Sequence, residues 1–86
     1  MDCYTGDGSS YVGHVNKTVK GIDCQAWAMQ VPHGHGHKDD QLPENSLEKA
    51  KNYCRNPKPT TSPGPWCYTM DEKIRSRLCN VETCGE

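Results

Sequence analysis

Asn52-Tyr53-Cys54-Arg55-Asn56-Pro57 and, one proline-rich loop later, Pro65-Trp66-Cys67-Tyr68-Thr69 are the stretches on which the fold turns. Trp66 to Met70 has the aromatic and branched content of a short strand, and the segment before Cys79 is its expected antiparallel neighbour. Working outward, Cys54 and Cys67 belong to an even set of six with Cys3, Cys24, Cys79 and Cys84. An even set in so short a chain points to disulfides and an oxidising compartment. Counting alone leaves about 15 pairings open. Zinc ligation is disfavoured, because the closest spacing is Cys79-x4-Cys84 and no Cys-x2-Cys pair occurs.

The composition explains why staples are needed. The 86 residues are 33% hydrophobic, enough for one domain with a small core. A domain of this size buries only about 60% of its extended-chain surface, against an ordering entropy on the order of 100 kcal/mol. Net charge is −1, from 10 basic and 11 acidic side chains, so no basic field draws nucleic acid. No apolar run approaches the roughly 20 residues of a membrane span, and Met1-Asp2 does not read as a signal peptide. We expect a single domain over residues 3–84, with short tails at 1–2 and 85–86.

Glycine and proline punctuate the chain too often for long regular elements. The best helical signal is Asn45 to Lys51, with Asn45 as the cap and Glu48 closing a capping box, for one or two turns at most.

Five segments carry a wider pattern: Cys3 to Gly13, Gly21-Ile22-Asp23-Cys24-Gln25-Ala26-Trp27, Pro32-His33-Gly34-His35, and the two already quoted. In this order, around these six cysteines, the chain resembles the kringle family along its whole length. The resemblance implies a small disulfide-rich domain of kringle fold, mostly loops, with a few short antiparallel β-strands and at most one short helical turn. It also implies the nested pairing Cys3 with Cys84, Cys24 with Cys67 and Cys54 with Cys79. The inner bridges would cross near the centre, against Trp27 and Trp66.

The wording reads most like the second kringle of plasminogen at Lys17-Thr18, Cys24 to Trp27, Pro32 to Gly36, Lys51 to Tyr53 and Leu78-Cys79. It departs at His37 to Leu42, Lys58 to Ser62, Met70 to Arg77 and Asn80 to Thr83. A frame kept while its loops change is expected of an engineered kringle displaying new binding loops.

Many kringles hold a lysine side chain between a carboxylate pair and a cation, over an aromatic floor. The carboxylate positions after Asn56-Pro57 hold Lys58 and Thr60, so Lys58 would reverse the sign of the cradle. Trp66 and Tyr68 keep part of the floor and Arg75 could meet a carboxylate, but Ser76 and Leu78 stand where further aromatic residues are usual. We therefore expect no lysine-analogue binding.

The partner-binding candidates are three loops: Lys38-Asp39-Asp40-Gln41-Leu42; Lys58, Thr60 and Thr61; and Met70, Ile74, Arg75 and Arg77. Their mix of apolar and arginine side chains suits a protein interface. His33, His35 and His37 could converge on a metal, but two of them belong to the family frame, so no metal or cofactor is expected. No nucleophile sits in a strained turn beside a histidine, and no catalytic residue is assigned. Asn16-Lys17-Thr18 matches the N-glycosylation pattern in an expected surface loop.

The expected molecule is an extracellular monomer, neither binding nucleic acid nor inserting in a membrane. Its expected partner is a protein, a cell-surface receptor ectodomain such as a death receptor, chosen from the known use of the scaffold. The alternatives are a natural kringle from a secreted protease or growth factor, and a structural or metal-binding spacer.

Overall fold

Regular structure is sparse because turns interrupt it. The computed structural model describes residues 3–84, so the tails assigned to 1–2 and 85–86 lie outside the described residues. Its elements are β1 (Cys3–Tyr4), α1 (Leu47–Ala50), β2 (Trp66–Tyr68), β3 (Ser76–Leu78) and β4 (Glu82–Thr83), with a 3-10 turn at Asp39–Gln41. β2 and β3 pair antiparallel, with Trp66 opposite Leu78, Cys67 opposite Arg77 and Tyr68 opposite Ser76. β1 and β4 pair in parallel, Cys3 beside Glu82 and Tyr4 beside Thr83, which corrects the expectation of antiparallel strands alone. A parallel pair needs a long crossover between its strands. Here nearly the whole domain is that crossover, and the Cys3–Cys84 bond closes its two ends side by side.

The helix is one turn, and its cap is displaced from Asn45 to Ser46. Asn45 has a positive φ of 55°, whereas an N-cap needs extended backbone. Ser46, at φ −161°, supplies that geometry, and its hydroxyl accepts from the Lys49 amide. The shift of one residue moves the third helical position from Glu48 to Lys49, so the expected Glu48 capping box does not form.

The disulfides are Cys3–Cys84, Cys24–Cys67 and Cys54–Cys79. The inner two cross in the interior, where Sγ of Cys24 lies 3.7 Å from Sγ of Cys54. Around them pack Tyr11, Trp27, Leu42, Ala50 and Tyr68, with Tyr4, Val15, Leu47, Trp66 and Val81 at the margin. Trp27 is 1% exposed, and its indole N–H donates to the Tyr53 carbonyl at 2.7 Å, as a buried tryptophan requires.

Polar side chains replace missing apolar volume. The buried Asn56 amide donates to the carbonyls of Asp7 and Ser62 and accepts from the Trp66 indole, joining three loops. Arg55 is buried beside Glu44, with both tyrosine rings of Tyr11 and Tyr53 5.5 Å from its guanidinium. Gly8 is required sterically. Its φ is +82°, and a Cβ there would lie 2.7 Å from the Pro65 ring.

Candidate ligand and partner surface

β2 builds the site by simple alternation, since successive strand side chains point to opposite faces. Cys67 turns inward to its bridge with Cys24, while Trp66 and Tyr68 share the other face with ring centroids 4.9 Å apart. Trp27 braces both edge-on, at 5.3 Å from Trp66 and 5.7 Å from Tyr68.

The histidine loop then closes over this aromatic group. His35 stacks flat on Tyr68 at 5.1 Å. His37 sits between Trp27, Trp66 and Tyr68, at 5.8, 5.9 and 5.8 Å, and its Nε2 is 3.0 Å from the Tyr68 hydroxyl. Burial, then the neighbouring His35 and Arg75, hold the His37 pKa below the usual histidine range, against a side-chain hydrogen bond to Gln41 that raises it. Arg75 lies 5.0 Å over the Tyr68 ring and donates to the Gly34 carbonyl at 2.9 Å. Two of the three residual ligand positions, Tyr68 and Arg75, are thus already engaged by the chain itself.

What remains beside Trp66 is an open trough of about 350 Å³ lined by Thr61, Ser62, Trp66, Ser76, Arg77 and Leu78. It contains one cation, Arg77, which donates to the Ser76 carbonyl, and no acidic side chain. Lys58 is elsewhere. It lines a separate cavity of about 260 Å³ with Asp40, Gln41 and Leu42, which corrects the expectation that Lys58 reverses the sign of the trough. The loop turns it away by bonding its backbone N–H to the Gln41 carbonyl, while the Gln41 amide reaches back to the Lys58 carbonyl. Thr60 also leaves the trough, donating to the Asp7 carboxylate at 2.9 Å. The Ser9 amide first, then the Thr60 hydroxyl, hold the Asp7 pKa below the usual carboxylate range.

The proposed loops are brought together unevenly. Those at 38–42 and 58–62 merge through the Gln41–Lys58 contacts, with Lys38, Asp39, Asp40, Lys58 and Thr61 exposed. Leu42 is a correction. Placed in a partner-facing loop by the sequence, it is 3% exposed, because the 3-10 turn at Asp39–Gln41 folds its side chain into the core. The third loop is a tight turn, with the Thr69 hydroxyl bonded to Asp71 and Ile74 and the Thr69 amide to the Arg75 carbonyl. It divides its candidates: Ile74 is half-buried, Arg77 faces the Trp66 trough, and Met70 faces a larger hollow. That hollow, about 640 Å³, also involves Met29, Leu47 and Ala26. Met29 was not singled out by the sequence, where one methionine near a tryptophan carries no spacing signal.

The histidines do not converge on a metal. His33 Nε2 lies 3.0 Å from the Asp71 carbonyl and His35 Nε2 3.0 Å from the Met29 carbonyl, each a separate commitment. Among the described residues, the one group of three or more metal-ligand types is Cys24, Cys54, Cys67 and Cys79, whose sulfurs are joined in the inner disulfides.

The family model described as "Kringle domain" matches residues 3–84. This chain belongs to the kringle family. Among its relatives, plasminogen of Capra hircus is 44% identical over all 86 residues, which cover 67% of that protein. The putative apolipoprotein(a)-like protein 2 of Homo sapiens is 42% identical over the same 86 residues, 62% of its length. The kringle is thus a non-catalytic protein-binding module, and its three disulfides fit an oxidising compartment.

Proposed function

We propose that this kringle binds a protein partner without recognising lysine, using loops that have been rewritten on a plasminogen-like frame. One observation carries the reading: the Trp66 trough offers an ammonium ion no carboxylate and places Arg77 on its wall. Desolvating an ammonium beside a guanidinium is unfavourable, since like charges about 4 Å apart repel by about 1 to 4 kcal/mol depending on local dielectric. The His35–His37 loop adds to this by occupying the Tyr68 face on which a methylene stem would lie.

The merged loops at 38–42 and 58–62 and the turn at 70–77 form the recognition surface, Leu42 excepted. Exposed Lys38, Asp39, Asp40, Lys58, Met70, Arg75 and Arg77 supply both charges and a flexible apolar contact on a platform fixed by crossed disulfides. The partner is an extracellular protein, a cell-surface receptor ectodomain, met by a monomeric domain.

Titration of the oxidised domain with 6-aminohexanoate, followed by tryptophan fluorescence, tests the first part. No shift is expected up to about 1 mM, an affinity that requires only about 4 kcal/mol. A saturable micromolar shift would refute it. Capture of receptor ectodomains by the oxidised domain, repeated after exchanging residues 70–77 for the plasminogen sequence, tests the second. Retained capture after exchange of each loop in turn removes the loop surface from the proposal.

A further inference from the structure

The motif Asn16-Lys17-Thr18 sits in a part of the fold that changes what the motif can do. Residues 17 and 18 are strand-bridged on two sides, Lys17 to Asp23 and Thr18 to Cys79. The Asn16 carbonyl accepts from the Cys24 amide at 3.0 Å, and the Thr18 amide donates to the Ile22 carbonyl at 2.9 Å. The Thr18 hydroxyl accepts from the Ile22 amide at 3.1 Å, and Thr18 is 3% exposed. Lys17 adds an ion pair with Asp23. Among the described residues, no hydrogen bond engages the Asn16 side-chain amide, which is half-buried at the edge of the segment.

N-glycosylation joins the asparagine amide nitrogen to a sugar, and the hydroxyl two residues on is part of what the transferase reads. In the folded domain that hydroxyl is buried and bonded. Its backbone is also held by strand bridges, one of which runs to a cysteine of an inner disulfide. In the unfolded chain none of this applies, and the same three residues are an ordinary acceptor.

We infer that Asn16 is an N-glycan acceptor only before the domain closes, so that disulfide formation and glycosylation compete for this segment. The co-reactant is a polyprenyl-diphosphate-linked oligosaccharide. Asn16 Nδ2 forms a bond to C1 of the first sugar and loses one proton. The bond from C1 to the phosphate oxygen breaks, and the polyprenyl diphosphate leaves with its electron pair. The folded domain then has no bond to break at the glycan's attachment point, because among the described residues no hydrogen bond engages the Asn16 side-chain amide.

The test uses the full chain secreted from mammalian cells and pulse-labelled with and without membrane-permeable dithiothreitol. Occupancy is read as the mass shift removed by peptide N-glycosidase. Incomplete occupancy without reductant is expected, rising toward completion with it, and none in Asn16→Gln under either condition. The absence of any glycan in the reducing pulse would overturn the inference, as would equal occupancy in the two pulses. A second arm does not depend on secretion. Microsomal transferase with lipid-linked donor is offered the purified oxidised domain and the reduced, alkylated chain. Modification of the alkylated chain alone is expected, and equal modification of both overturns the proposed order.

Discussion

Replacing Glu44 by glutamine tests how the frame holds its buried cation. Arg55 is 2% exposed at its side chain and Glu44 17%. Nε and Nη2 of Arg55 donate to the Glu44 carboxylate at 3.0 and 2.9 Å, and Nη1 donates to the carbonyls of Gly13 and Cys54. The substitution keeps the shape but deletes the countercharge, leaving a guanidinium enclosed by Tyr11 and Tyr53. Removing one partner of a buried pair costs about 3 to 5 kcal/mol. Glu44 is partly open to water, which screens the loss, so we expect about 3 kcal/mol. With a urea m-value of about 1 kcal/mol/M for a small domain, the midpoint of the oxidised protein should fall by about 3 M. Glu44→Gln combined with Arg55→Met should be less damaging than the sum of the single changes by about 1 kcal/mol or more, because the stranded charge is gone. A midpoint shift under about 0.5 M for Glu44→Gln, or strict additivity in the cycle, would refute the reasoning.

Gly8→Ala should cost about 1 to 3 kcal/mol in thermal unfolding, since φ is +82° and the new Cβ meets Pro65 at 2.7 Å. Gly6→Ala, with open space around it, should cost less, and equal effects would discount the Pro65 contact. Stability should fall as pH drops below about 6.5, because His37 is held neutral in the folded domain and takes up a proton more readily when unfolded. His37→Gln should flatten that part of a melting-temperature profile. Asp7, whose pKa is lowered, adds a separate loss at more acidic pH as its carboxylate is protonated, and Asp7→Asn should remove it. Reduction of all three disulfides should unfold the domain at 37 °C, as loops of this size contribute roughly 3 to 4.5 kcal/mol each; native-like near-ultraviolet dichroism after reduction would contradict it.

Much of the frame was legible because local chemistry encodes it. Six cysteines among Gly- and Pro-rich turns exclude long elements, and Trp66-Cys67-Tyr68 alternates wherever it is placed, sending Cys67 to one face and two aromatic rings to the other. The expected cap at Asn45 lies one residue from the observed cap at Ser46 because either residue type can cap. The backbone turn into a positive φ at Asn45 chose between them.

The sequence by itself determined the crosslinked, turn-dominated architecture and the absence of acids at positions 58 and 60, since both follow from residue type and order. Only the tertiary structure decided which groups remain free. It sent Leu42 inward, turned Lys58 and Thr60 toward other partners, put His35 and Arg75 against Tyr68, and buried the Thr18 hydroxyl. The reason is distance along the chain. These contacts join loops many residues apart, so their geometry exists only once the crossed disulfides have set the loops side by side.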